Sequence, residues 1–379
     1  MWGLRATTRM IMSDNSGKDG TNGNAPVHQR ETVQFYRSYA HYSQLGDCWH
    51  LEVQGRVFAP SRRHIRKRAL MFLLKRVVRP ERNADQHQLF LERAQLFLTE
   101  HRRGKSIPVA IAERAHALPD TTENGHFEAT LTIQASELEP SVVTLPDGRR
   151  FVQFCVELPE EDGRLFAGDV ELVPPQGISI VSDVDDTIKI SDVANRKELL
   201  QNTFTRQFRA VDGMTQLYQD WAEQGCSFHY VSASPWPLYE PLDQWLNSDG
   251  FPAGSVHLRY VKLRELRNDR EGHGSFRAKR AAIEQILRSF PGRRFVLVGD
   301  AGERDAELYA QVARSFGDQV AHICIRQVKG RHNPHGLSPQ AIKELDPHHE
   351  DRWTLFHHVT ELSEVLPRVQ SLCDHPSAS

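Results

Sequence analysis

The chain has 379 residues, 39% hydrophobic and 25% charged, with a formal net charge of −2. These proportions suit a globular protein of two or three domains and exclude the global basic field that draws in nucleic acid. Five scattered cysteines without a CxxC pair argue for reduced thiols rather than a disulfide framework or zinc site.

Residues 1–30 are polar, rich in Gly, Asn, Asp and Ser, and lack periodicity, so a disordered tail is expected there. The opening "MWGLRATTRMIM" has arginines but no sustained apolar core, which argues against a secretory signal and favours Met12 as the start. No run approaches the roughly 18 apolar residues of a membrane span, and a cytoplasmic location is the expectation.

From Trp49, "WHLEVQGRVFAP" alternates like a strand and ends at a proline. "SRRHIRKRALMFLLKRVV" then reads as a basic amphipathic helix, with Ser61 as N-cap and arginines and lysines from 62 to 79 beside Ile65, Phe72 and Val77. Such a helix packs its apolar side into a core or lies on an anionic bilayer, so peripheral membrane contact through 62–79 is an open expectation. A second helix fits "QLFLERAQLFLTEH", and "GHFEATLTIQA" and "RRFVQFCVEL" return to alternation. The region 31–172 thus reads as a smaller β-rich domain with a helical insert.

After "PPQG" the pattern changes. Apolar strand segments at 178–182, 227–231, 256–261, 295–298 and 320–325 alternate with helical ones at 197–203, 211–224, 238–248, 277–290 and 304–315. That order predicts an α/β domain over 173–330 with a parallel sheet and crossover helices. Ligands in such sheets bind beyond the carboxyl ends of the strands. A C-terminal helical tail over 331–379 is expected to pack through Trp353, Phe356, Val359 and Leu362. The histidine pairs His348–His349 and His357–His358 lack the spacing of a metal motif and read as surface residues.

The strand ends carry the chemistry. "ISIVSDVDDT" delivers Asp183, Asp185, Asp186 and Thr187; "FHYVSASPW" delivers Ser232; Lys279 opens "KRAAIEQIL"; "FVLVGDAGERD" delivers Asp300 and Asp305. Clustered carboxylates repel, and burial makes this worse. Together, on successive strands, they fit phosphoryl transfer through an aspartyl-phosphate, with Mg²⁺ among the carboxylates and a hydroxyl and an ammonium on the phosphate oxygens.

These motifs resemble the four motifs of the haloacid dehalogenase superfamily. "LVPPQGISIVSDVDDTIKISDV", "FHYVSASPWPLY" and "FPGRRFVLVGDAGERDAELY" are more closely similar to the catalytic domain of the actin-patch-associated phosphatidate phosphatases, over about 170–330. Ala306 departs from the proline usual in that family after the motif aspartate. The resemblance implies a haloacid-dehalogenase-like three-layer domain. The stretch after Thr187 leaves room only for a flap and one or two helices, and Leu263 to Ala278 is too short for a cap, so a capless or small-flap form is expected. The resemblance also implies Asp183 as nucleophile and metal ligand, and Asp185 as general acid and base that also lends its backbone carbonyl to the metal. Ser232 and Lys279 would bind phosphate with Thr187 ordering the loop, Asp300 and Asp305 would hold Mg²⁺, and Asp186 receives no role. The implied activity is hydrolysis of phosphatidate to diacylglycerol and phosphate. A phosphoprotein or soluble phosphomonoester phosphatase, or a non-enzymatic lipid- or phosphate-binding module, is the alternative. No protein partner is inferable.

Overall fold

The computed structural model describes residues 26–60, 83–259, 273–328 and 337–374, together with Met71, Phe72, Lys75 and Val78. The tail expected before residue 26, most of the basic stretch 62–79, and most of the linker 263–278 lie outside the described residues.

The first part of the chain forms a ten-stranded, mainly antiparallel sheet. Its strands are β1 (Thr32–Phe35), β2 (Ser38–Ser43), β3 (Cys48–Pro60), β4 (Thr99–His101), β5 (Ile107–Ile111), β6 (Arg114–Leu118), β7 (His126–Gln134), β8 (Val142–Thr144), β9 (Arg150–Val156) and β10 (Ala167–Leu172). Strand β3 is the spine, paired with β7 from Cys48↔Gln134 to Arg56↔His126. Its alternation explains its placement: Leu51, Val53 and Val57 join Phe35, Phe127, Ile133 and Phe154 in one core, while Glu52, Gln54 and Arg56 point to the opposite face. Helix α1 (Ala84–Leu96) stands between β3 and β4 and is capped by Asn83, whose side chain accepts the Asp85 N–H.

The second part is a six-stranded parallel sheet in the order β13-β12-β11-β14-β15-β16. It comprises β11 (Gly177–Ser182), β12 (Ser227–Pro235), β13 (Ser255–Arg259), β14 (Arg293–Asp300), β15 (Val320–Arg326) and β16 (Trp353–Phe356). The inner strands are mostly apolar because both faces are covered, with a few buried polar residues such as Ser179, His229 and Arg293 among them. Ile178, Ile180, Phe228, Tyr230, Val296 and Val298 face one core with Met214, Tyr218, Trp221, Leu242 and Val369. Those come from α2–α4 and α8's side of the sheet: α2 (Arg196–Phe204), α3 (Met214–Glu223), α4 (Tyr239–Ser248) and α8 (Val365–Asp374). Val181, Val231, Phe295, Leu297 and Ile325 face the other core with Ile283, Ile286, Leu308 and Val312, from α5 (His273–Ser289) and α6 (Asp305–Phe316). A short helix α7 (Pro339–Leu345) follows β15. Each such fully buried aliphatic or aromatic side chain contributes about 1.5–3 kcal/mol relative to exposure.

One expectation fails. "DRWTLFHHVTEL" is not one helix: Trp353–Phe356 is the edge strand β16, registered on β15 from Ile323↔Trp353 to Arg326↔Phe356. A short 3-10 turn at Val359–Leu362 follows before α8. The apolar spacing of Trp353, Phe356, Val359 and Leu362 imitates a helix because a strand and a turn succeed each other, and pairing with β15 overrides local periodicity. The expected helical tail therefore contributes a strand. All four histidines of the two pairs are exposed.

The two sheets are joined by polar and aromatic contacts. Tyr36 stacks on Trp236 at 4.0 Å between ring centroids, and the Arg37 guanidinium pairs with Asp243 at 2.8 Å. The Arg37 N–H also donates to the Tyr239 hydroxyl at 2.8 Å.

Candidate active site

Strands β11 and β14 are hydrogen-bonded neighbours from Gly177↔Arg293 to Ser182↔Val298, so their carboxyl ends emerge side by side. The Asp183 N–H continues this ladder, donating to the Val298 carbonyl at 2.8 Å. As a result Asp183, Asp300 and Asp305 converge: a carboxylate oxygen of each lies within 4.8 Å of the others, and all three residues are buried. Gly299 makes this approach feasible. A Cβ there would sit 2.5 Å from Asp305 Oδ2 and 2.8 Å from the Tyr309 ring, closer than any side chain tolerates.

Lys279, carried by α5, reaches into the cluster. Its ammonium donates to Asp183 Oδ1 at 2.7 Å and to Asp305 Oδ1 at 2.5 Å. The Thr187 hydroxyl donates to the other Asp183 oxygen at 2.8 Å. Asp300 Oδ1 accepts the N–H groups of Gly302 and Glu303 at 2.6 and 3.0 Å. Its second oxygen, Oδ2, is buried without any hydrogen-bond partner.

One ammonium does not balance these carboxylates. Burial, followed by the charges of Asp305 and Glu303, pushes the Asp300 pKa well above the carboxylate range. Asp183 moves the same way through burial, with Lys279 opposing and Asp305 adding to the rise. Glu303, 3.7 Å from the Lys279 ammonium, is raised to about 7, first by burial. For Lys279, burial alone would favour the neutral amine, yet Asp183 and Asp305 raise its pKa well above normal. The orphaned Asp300 oxygen and the excess of carboxylates suit a hard divalent cation with oxygen ligands.

Asp185 faces elsewhere. Its Oδ1 meets the Lys189 ammonium at 2.6 Å and the Ser191 hydroxyl at 2.6 Å. Its Oδ2 accepts from Ser232 at 3.0 Å and Ser234 at 2.8 Å. Burial would raise its pKa, but Lys189 and these hydroxyls hold it far below the usual range. Its side chain is therefore outside the three-carboxylate cluster, and Ser232 touches Asp185 rather than Lys279.

Asp186, which had no role in sequence, anchors the loop that follows. It takes a positive φ of 57° and turns its carboxylate onto three successive N–H groups, Ser191, Asp192 and Val193, at 2.8, 2.7 and 2.6 Å. Arg326, at the end of β15, donates to the Asp186 carbonyl at 2.6 Å. The loop then leads into α2, whose Asn202 side chain donates to the Ser191 carbonyl at 2.9 Å.

Lys189, Ser191, Ser234 and Glu303 escape the sequence reading. Two signals were present. Lys189 is a lone charge in the apolar run "TIKI", four residues after Asp185; Ser234 lies two residues beyond Ser232, on the same side of an extended chain.

Residues 178–327 match the family described as Phosphatidate phosphatase APP1, catalytic domain. An uncharacterized protein of Schizosaccharomyces pombe is 30% identical over 212 residues, 55% of this chain and 31% of that protein. Phosphatidate phosphatase APP1 of Saccharomyces cerevisiae is 34% identical over 158 residues, 41% of this chain and 26% of that protein. The chain thus matches about a third or less of the length of these curated relatives. Residues 178–327, the segment that matches this family, hold the whole carboxylate cluster.

Proposed function

We propose that the protein is a Mg²⁺-dependent phosphatidate phosphatase with a haloacid-dehalogenase-like catalytic domain, releasing diacylglycerol and phosphate through an aspartyl-phosphate. The observation that carries the reading is the convergence of Asp183, Asp300 and Asp305 beside Lys279 at adjoining strand ends. The substrate class comes from the family match and the yeast relative's name.

In this reading Asp183, Asp300 and Asp305, with the Asp185 backbone carbonyl, hold the cation. When bound, Mg²⁺ offsets the carboxylate repulsion and stabilises charge on the transferring phosphoryl group. An Asp183 oxygen attacks phosphorus; the P–O bond to the glycerolipid breaks as the bond to Asp183 forms. Lys279 exchanges one carboxylate contact for a phosphate oxygen, with Ser232 and Thr187 ordering the pocket. The leaving oxygen takes a proton from Asp185. Asp185 is ionised at rest beside Lys189. It therefore relays the proton of the phosphomonoester monoanion, whose second pKa is about 6, to the leaving oxygen as the P–O bond breaks rather than holding it beforehand. In the second half Asp185 accepts a proton from water, which attacks the aspartyl-phosphate and releases phosphate and free Asp183.

Access to lipid is the second part of the proposal. Among the described residues no helix is long and apolar enough to cross a membrane. Phe72, within the basic stretch 62–79, is 66% exposed, while Val78 is buried with Phe90, Ala94 and Phe204. The exposed Phe72 supports an anionic-bilayer contact on its side of the fold.

The test compares phosphatidate in mixed micelles with soluble phosphomonoesters and a phosphoprotein, each with Mg²⁺ and with chelator. Phosphatidate should be hydrolysed fastest, only with Mg²⁺, and Asp183→Asn should lower turnover by more than about a thousandfold. Preference for a soluble or protein substrate selects the alternative phosphatase; no turnover by folded, Mg²⁺-loaded protein selects the binding module. On vesicles, rates unaffected by salt would remove the 62–79 contact.

A further inference from the structure

Of the buried charged groups near the site, one lysine has been given no role of its own in the reaction. Lys189 is 2% exposed. Such a cation is costly to bury and persists only where its partner is well placed. Its ammonium touches Asp185 Oδ1 at 2.6 Å and also the Ser191 hydroxyl. It lies 4.9 Å from the centroid of the Phe208 ring, whose ring also carries the Arg93 guanidinium at 3.8 Å. Arg93 comes from α1, in the first part of the chain, and its guanidinium donates to the carbonyls of Thr203 and Arg206 at 2.7 and 2.8 Å. Lys189 is thus seated on an aromatic ring whose position is set from a second region of the molecule.

The backbone supports the same alignment. The Lys189 N–H donates to the Val184 carbonyl at 2.9 Å, and the Asp186 N–H donates to the Lys189 carbonyl at 2.8 Å. This tight loop returns Lys189 to the carboxylate four residues before it. Lys189 and Ser191 secure one oxygen of Asp185 and leave the other to Ser232 and Ser234. A carboxylate held at both oxygens keeps one rotamer, which proton transfer requires within a fraction of an ångström.

We propose that Lys189 is a positioning residue for phosphoryl transfer: it fixes the Asp185 carboxylate for proton transfer to the leaving oxygen and from water, without touching the substrate. The inference rests on the phosphatase reading of the site and assigns to it a residue outside its motif set.

The test uses Lys189→Met, which keeps an unbranched side chain one atom shorter and removes the charge. Single-turnover release of the alcohol is followed from an aryl phosphate, whose leaving group needs no proton, and from an alkyl phosphate, whose leaving group does. Loss of Asp185 alignment should slow alkyl release by about a hundredfold, the scale of general acid catalysis, and aryl release by less than about threefold. Equal losses on both substrates, or none, overturn the proposal. If Lys189→Met does not fold, Ser191→Ala removes the bridging hydroxyl and should give the same substrate-dependent pattern on a smaller scale; a uniform effect there also overturns it. Wild type and Asp183→Asn run alongside. An inactive wild type sinks the phosphatase reading itself, whereas an active wild type with an inactive Asp183→Asn isolates the Lys189 question.

Discussion

Two carboxylate sites stand within one loop of each other, and their pKa values move in opposite directions. Around Asp183, three aspartates and Glu303 share one lysine, one oxygen of Asp300 has no partner, and the pKa values of Asp183, Asp300 and Glu303 rise. Around Asp185, a single carboxylate has a lysine and three hydroxyls to itself, and its pKa falls. Burial disfavours the anion in both places, so the difference lies in the partners. The first group is deficient in positive charge and suits a cation; the second is already complete and suits a fixed proton carrier. Sequence spacing, DVDD, does not separate the two roles. The side chains' directions do.

The comparison breaks most visibly if the first group is not a cation site. Millimolar Mg²⁺ should raise the thermal midpoint of the wild type; at about a hundred times its dissociation constant the gain is about 2.7 kcal/mol. In Asp300→Asn that gain should disappear together with activity, whereas in Lys189→Met the Mg²⁺ shift should remain. Differential scanning calorimetry with and without chelator reads both. A Mg²⁺ shift lost in Lys189→Met and kept in Asp300→Asn would reverse the assignment of the two groups.

A pH experiment sharpens the same contrast. Glu303 has a folded pKa raised from 4.5 to about 7, so the folded state holds its proton longer than the unfolded chain. Its contribution is present below about pH 4.5 and is lost as pH rises towards 7. Asp185 has the opposite sign: its contribution is present above its ordinary value of 3.8 and disappears as pH falls below it. In cation-free protein, Glu303→Gln should flatten the decline in stability between about pH 4.5 and 7. The recovered stability is at most about 1.4 kcal/mol per pKa unit. Urea melts across that range measure it, and an unchanged slope would show that Glu303 is not held in its neutral form.

The parallel sheet and its site were largely legible because both rest on local signals. Five apolar runs separated by amphipathic helices permit few topologies, and polar residues at the ends of such runs are conspicuous. What was not legible depends on contacts distant in sequence. Strand β16 reads as helix until β15 is beside it. Lys189 reads as an interruption of an apolar run until the loop folds it onto Asp185. The separation of Ser232 from Lys279 is likewise a matter of where β12 ends relative to α5, which no spacing rule encodes.

The smallest expected effect concerns Asp186, which belongs to neither charge group yet lies between them. Its carboxylate receives three backbone N–H groups from Ser191, Asp192 and Val193, the segment that also carries the hydroxyl bridging Lys189 and Asp185. Asp186→Ala removes an acceptor from partly buried donors, at a cost of about 1–3 kcal/mol. Water can reach the Asp192 N–H, because that residue is exposed, so the lower part of the range is expected. The first group should not register the change: Mg²⁺ should stabilise the variant as much as the wild type. The second group should register it as a several-fold slower alkyl-phosphate reaction, since Ser191 would lose its backbone anchor while Lys189 keeps its own bonds to Val184 and Asp186. Single-turnover rates set beside Lys189→Met measure this directly. If Asp186→Ala slows alkyl release as much as Lys189→Met does, the loop backbone rather than the lysine holds Asp185 in place.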